Sequence, residues 1–167
     1  MSRTTEELLN TSIQFERDGF DFYTRAGQTA LSDLARGVFE ALAQDEKRHI
    51  EILKAMSVGV ATVETESQAL AERLRPIFRA ASESIREAAE TAVDDSEALG
   101  LAIELEERSM GVYAEAAALA GEGEVRHMCE VLVGIEQGHR QLLENVVEYL
   151  EHPDSFFLRE ERWFVEG

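Results

Sequence analysis

The chain has 167 residues, with 34 acidic residues against 16 Lys plus Arg, a formal net charge of −18. That length fits one domain with a sizeable core, and the charge excludes nucleic acid and anionic membrane as partners, because both demand a basic patch. The single cysteine, Cys129, excludes an internal disulfide and a four-cysteine iron site.

Ala, Leu, Glu and Arg dominate, and only Pro76 and Pro153 interrupt the chain. Such a mixture favours helix, and β-branched runs are scarce, so the chain reads as all-α. The first helix is expected to start at Thr4, which forms a capping-box pair with Glu7, and to run to about Ala30. A second follows Ser32 and Asp33 and runs to about Ser57. A third follows the cap-like Asp94–Asp95–Ser96 and ends at Gly121-Glu-Gly123, and a fourth continues to about Glu151, where His152-Pro153 stops it. Short connections make each pair an antiparallel hairpin, spanning about residues 4–57 and 95–151. Residues 58–94 are too long for such a loop and hold a helical stretch around Glu66–Thr91, kinked or restarted at Pro76. They read as a crossover that lets the second hairpin pack beside the first. The tail, residues 152–167, carries Phe156, Phe157, Leu158, Trp163, Phe164 and Val165, which together would make a sizeable apolar patch. It docks either on the chain's own bundle or on a second subunit.

No run approaches the ~18 apolar residues of a membrane span. Residues 1–10 are polar and acidic, unlike a signal peptide, so the expected compartment is the cytoplasm.

The two hairpins repeat each other. Adding 90 to Glu16, Tyr23, Glu46 and His49 gives Glu106, Tyr113, Glu136 and His139. All eight lie on heptad-like stripes. On the first helix the stripe is Leu9, Ile13, Glu16, Phe20, Tyr23, Gly27, Ala30, and on the third Leu99, Ile103, Glu106, Met110, Tyr113, Ala117, Ala120. On the second it is Phe39, Leu42, Glu46, His49, Leu53, Met56, and on the fourth Cys129, Leu132, Glu136, His139, Leu143, Val146. Cys129 is therefore expected to be a small buried hydrophobe.

A carboxylate on a core stripe costs several kcal/mol in desolvation unless something pairs with it, and no Lys or Arg occupies any of these stripes. Four carboxylates and two imidazoles are the ligand set of a two-metal site inside a four-helix bundle. Two divalent cations balance four carboxylates. Residues three apart share a helix face, so Glu46 with His49, and Glu136 with His139, can aim at one point. Such ligands suit iron or manganese, with zinc a frequent occupant because it binds such sites more tightly, and the residues do not choose among them. The competing reading is a buried hydrogen-bond network without metal.

Glu124 and His127 also read Glu-x-x-His, yet they precede Glu136 and His139 by 12 residues. That offset is ~18 Å along the helix and ~120° around it. Their counterparts in the first half are Leu34 and Gly37, which cannot ligate, so a solvated face is expected there.

The segments FERDGFDFY, DEKRHIEIL, LEERSMGVY and IEQGHRQLL give the chain a resemblance to the rubrerythrin-like branch of the ferritin-like di-iron carboxylate proteins, over roughly residues 5–57 and 95–150. The resemblance implies a ferritin-like four-helix bundle holding two iron ions. It implies that Glu46 and Glu136 bridge the metals, that Glu16 and His49 complete one, and that Glu106 and His139 complete the other. Tyr23 and Tyr113 match family tyrosines near the ligand carboxylates, as hydrogen-bond donors or guards against stray radicals; core packing is the alternative role. The implied activity is reduction of hydrogen peroxide, or oxygen, by a homodimer. Rubrerythrins proper add a four-cysteine rubredoxin domain, and this chain has no such cysteines, so a separate electron-donor protein is expected. Where they carry a further glutamate a turn after the third-helix ligand, this chain has Ser109. Two rival readings are oxidation and handling of ferrous iron, and a non-catalytic helical interaction module in which metal is a staple.

Overall fold

A computed structural model describes residues 3–59, 94–120 and 123–152, with side chains from residue 10 to residue 54 in the first stretch. These residues form four helices: α1 (Arg3–Thr29), α2 (Asp33–Gly59), α3 (Asp95–Ala120) and α4 (Glu124–Glu151). No strand occurs among the described residues. The all-α, four-helix expectation holds, with helix ends close to those read from the sequence. Of the expected crossover, residues 58–94, the first two belong to α2 and residues 60–93 lie outside the described residues, as do residues 153–167 of the expected tail and the side chains of the Thr4–Glu7 capping pair.

Local chemistry sets the ends. Ser32 Oγ accepts from the Ala35 N–H at 3.1 Å and caps α2. Within Asp94–Asp95–Ser96, Asp94 is the cap, accepting from the Glu97 N–H at 2.9 Å. Asp95 turns elsewhere: its two oxygens accept from the Leu31 and Ser32 N–H groups, each at 2.8 Å. Those bonds fasten the start of α3 to the α1–α2 turn. Gly123 precedes α4 with φ at +141°, a conformation that L side chains rarely adopt. The helix closes with the His152 N–H on the Glu148 carbonyl at 2.9 Å, one residue before Pro153.

α1 packs along α2 and α3 along α4, forming two hairpins; α1 also meets α3, and α2 meets α4. The long-range bonds give the directions. Tyr23 reaches Glu106 while Tyr113 reaches Glu16, so α1 and α3 are antiparallel. His49 faces Glu136 and His139 faces Asp45, so α2 and α4 are antiparallel too. The resulting ferritin-like four-helix bundle has an approximate twofold relation between its halves, along the 90-residue repeat.

Phe22, Phe39, Leu42, Leu53, Leu99, Leu132 and Leu143 are almost wholly buried. Each such side chain contributes roughly 1.5–3 kcal/mol by leaving water. All six stripe residues of α4 are buried, as are the five described ones of α2. On α1 and α3 the stripe reading needs correction. Phe20, Ile103 and Met110 are only half-buried, whereas Phe15, Phe22, Leu105 and Val112 are buried. On these two helices the buried face is wider than a narrow seam and lies partly beside the expected stripe.

Candidate metal centre

Glu16 and Tyr23 come from α1, Glu46 and His49 from α2, Glu106 and Tyr113 from α3, and Glu136 and His139 from α4. The structure brings all eight to the interior. Glu16, Glu106 and Glu136 are each 1% exposed, Glu46 5%, His49 2% and His139 7%. Both imidazoles turn Nδ1 toward the carboxylates. His49 Nδ1 lies 3.1 Å from Glu16, 3.4 Å from Glu136 and 3.5 Å from Glu46. His139 Nδ1 lies 3.1 Å from Glu136 and 3.6 Å from Glu106. The rings stack at 5.6 Å between centroids, inclined by 16°.

The six potential ligands divide into two overlapping sets. Glu16, Glu46, His49 and Glu136 form one; Glu46, Glu106, Glu136 and His139 form the other. Within each set, one ligand atom per residue lies within 4.8 Å of the rest. Glu46 and Glu136 belong to both.

The tyrosines cross between the halves. Tyr23 donates to Glu106 Oε1, and Tyr113 donates to Glu16 Oε1. Tyr23 follows Glu16 by seven residues, about 10 Å along the helix, too far to serve it; the antiparallel α3 brings Glu106 opposite instead. Tyr23 meets Phe22 edge-on and stacks on Phe39, and Tyr113 meets Phe15 edge-on, so apolar rings wall the cluster.

Electrostatics show a cluster short of positive charge. Burial pushes Glu16 up to about 8, helped by Glu136 and Glu106, although a hydrogen bond with Glu46 pulls the other way. Burial and then Glu16 hold Glu46 well above the carboxylate range, and burial and then Glu46 do the same to Glu136. Tyr23 is raised by burial and by Glu106. For His139, burial opposes the imidazolium, but hydrogen bonds to Glu106 and Glu136 raise it to about 10. Among the described residues, the two imidazoles are the only bases in ion-pair contact with these carboxylates. Glu106 Oε2 and Glu136 Oε1 are buried without a hydrogen-bond donor among them. Unpartnered oxygens facing carboxylates and imidazole nitrogens fit metal: the donors are hard oxygens and borderline nitrogens, and cations remove the repulsion.

Three features escaped the sequence reading. Asp45 Oδ2 lies 3.3 Å from His139 Nε2; its repeat partner is Ile135, so the repeat gave no signal. Gly19 packs against the Glu46 carboxylate, where an added Cβ would sit 3.4 Å from the carboxyl carbon. The third is the Phe15–Phe22–Phe39 wall. Ser109, at the repeat position of Gly19, is buried. Glu124 and His127 are exposed, as expected of a solvated face, and Cys129 is buried, its thiol raised to about 11 by burial and by Glu130.

A buried set of carboxylates and imidazoles supplied symmetrically by two helical hairpins defines the class: a carboxylate-rich ferritin-like bundle whose interior fits a di-iron site. A family model described as rubrerythrin matches residues 7–147, and the chain belongs to the rubrerythrin family. No curated protein and no solved structure matches the chain. No helix among the described residues is long and apolar enough to cross a membrane.

Proposed function

We propose that the protein is a di-iron oxidoreductase that reduces hydrogen peroxide, or oxygen, with electrons from a separate donor protein. The observation that carries this reading is the pair of four-residue sets sharing Glu46 and Glu136. In this assignment Glu16 and His49 would hold one iron and Glu106 and His139 the other, with Glu46 and Glu136 available to both. A ferrous pair supplies two electrons at one place, matching reduction of one hydrogen peroxide and two protons to two waters.

The chain's own residues prepare that place. Tyr113 holds Oε1 of Glu16 while its Oε2 faces His49, and Tyr23 holds Oε1 of Glu106, so each hydroxyl fixes one carboxylate of the cluster in place. The aromatic wall keeps bulk water from the carboxylates and so strengthens every charge interaction within. His49 and His139 present Nδ1, the nitrogen a metal requires unprotonated.

The test is turnover. Iron-loaded protein supplied with a rubredoxin-type donor is expected to consume many equivalents of peroxide per chain, and a single stoichiometric oxidation without donor. One burst per site even with donor would instead identify ferrous-iron handling. Absence of any peroxide-dependent spectral change would leave metal as a structural staple.

A further inference from the structure

The repeat makes the two halves near equivalents at every proposed ligand, but not around the histidines. On the His139 side, Nδ1 faces Glu136 and Glu106, and Nε2 points outward to Asp45 Oδ2 at 3.3 Å. Asp45 is held in turn: Arg48, three residues on along α2, donates to its other oxygen, Oδ1. In the opposite half the corresponding positions are Ile135 and Gly138. Neither can offer a carboxylate or a guanidinium, and each carboxylate paired with His49 meets it at Nδ1.

We infer that Asp45 is a positioning residue for His139 and that it makes the two metal positions unequal, so that the site completed by His139 fills first. This rests on the metal-centre reading above. The physical cause is a carboxylate 3.3 Å from the outer nitrogen of the imidazole, close enough to draw the ring proton to that nitrogen. It fixes the tautomer with Nδ1 unprotonated toward the metal, holds the ring in place and makes Nδ1 a stronger donor. His49 draws no such help from Ile135. Because the helices run antiparallel with the same register, a carboxylate at position 135 would stand to His49 as Asp45 stands to His139.

The experiment is a zinc titration of the metal-free protein by calorimetry, on the wild type, Asp45→Asn and Ile135→Asp. Zinc is diamagnetic, so the imidazole N–H protons are followed in parallel by NMR. The wild type is expected to bind two zinc ions in two resolved steps and to show one strongly downfield imidazole N–H, from His139. The near-isosteric Asp45→Asn is expected to weaken the tighter step by about 10–100-fold, leave the weaker step in place and move that resonance upfield. Ile135→Asp is expected to tighten the weaker step and add a second downfield N–H. Identical titrations of wild type and Asp45→Asn, or a loss confined to the weaker step, overturn the inference while leaving a two-metal site standing. A wild type that binds no zinc and no ferrous ion removes the metal-centre reading itself.

Discussion

Burial sets the chemistry of single residues at this centre. Without metal, protons are the remaining positive charge, and Glu16, Glu46, Glu136 and His139 all hold theirs more tightly than they would in the unfolded chain. A raised folded-state pKa contributes stability that is present below the unfolded value and lost as pH rises through the folded one. For Glu16 that window runs from 4.5 to about 8, and for His139 from 6.5 to about 10. The metal-free protein is therefore expected to melt at a higher temperature at pH 6 than at pH 8.5. The metal-loaded form, whose carboxylates are held by cations, is expected to show no such fall. Thermal scans of both forms across the interval check the sign. Tyr23→Phe and Tyr113→Phe each remove a buried O–H donor and leave a carboxylate oxygen unpartnered. Each is expected to cost about 1–3 kcal/mol in urea unfolding of the metal-free protein. The repeat predicts similar losses for the two, and a negligible loss would mean that water replaces the hydroxyl.

At the scale of the helix, Asp95 links the hairpins. Its carboxylate ties α3 to the turn between α1 and α2, and no residue of that type stands at the repeat position, Thr5. Burial raises its pKa, but hydrogen bonds from Leu31 and Ser32 outweigh that and leave it lowered. Its stabilisation is accordingly present above its ordinary value of 3.8 and lost as pH falls, outside the window of the buried cluster. Asp95→Ala is expected to destabilise the protein by about 1 kcal/mol. Hydrogen exchange is expected to quicken at the Leu31 and Ser32 amides and to stay unchanged at the centre of α4. Uniform quickening along all four helices would show that the tie holds the whole bundle rather than one end.

The whole molecule works as two hairpins closed on a common charge cluster. Each proposed metal draws residues from both hairpins, so loading metal also joins the halves. Binding to the folded state alone raises stability by mass action, and zinc or ferrous ion is expected to raise the melting temperature in a concentration-dependent way. Glu46→Ala and Glu136→Ala remove a residue common to both sets and are expected to lose both metals. Glu16→Ala and Glu106→Ala touch one set each and are expected to weaken one metal. His127→Ala, on an exposed face, is expected to leave metal content unchanged. Elemental analysis of the purified variants decides among these outcomes; one tightly held metal in Glu46→Ala would count against its spanning both sites.

What the sequence by itself determined is what lies along one helix. The 3–4 spacing placed Glu46, His49, Glu136 and His139 on buried faces, and the 90-residue repeat singled out Glu16 and Glu106 among 34 acidic residues. Asp94 was legible within a cap-like run because capping depends on neighbours in the chain. Across helices the sequence told that the six ligands converge, but not which side chain meets which. Tyr23 serves Glu106, 83 residues away, because α1 and α3 run antiparallel in one register, and no periodicity encodes which helix becomes a neighbour. Asp45 left no trace because its value lies in an outward-facing nitrogen of another helix. Phe15 and Phe22 joined the core, and Phe20 and Met110 did not fill it, because the side a helix turns to its neighbours is set by packing and not by spacing along the chain. Ligand types are local and could be read from the chain; the order in which hairpins pack is set by long-range burial, and only the tertiary structure decided it.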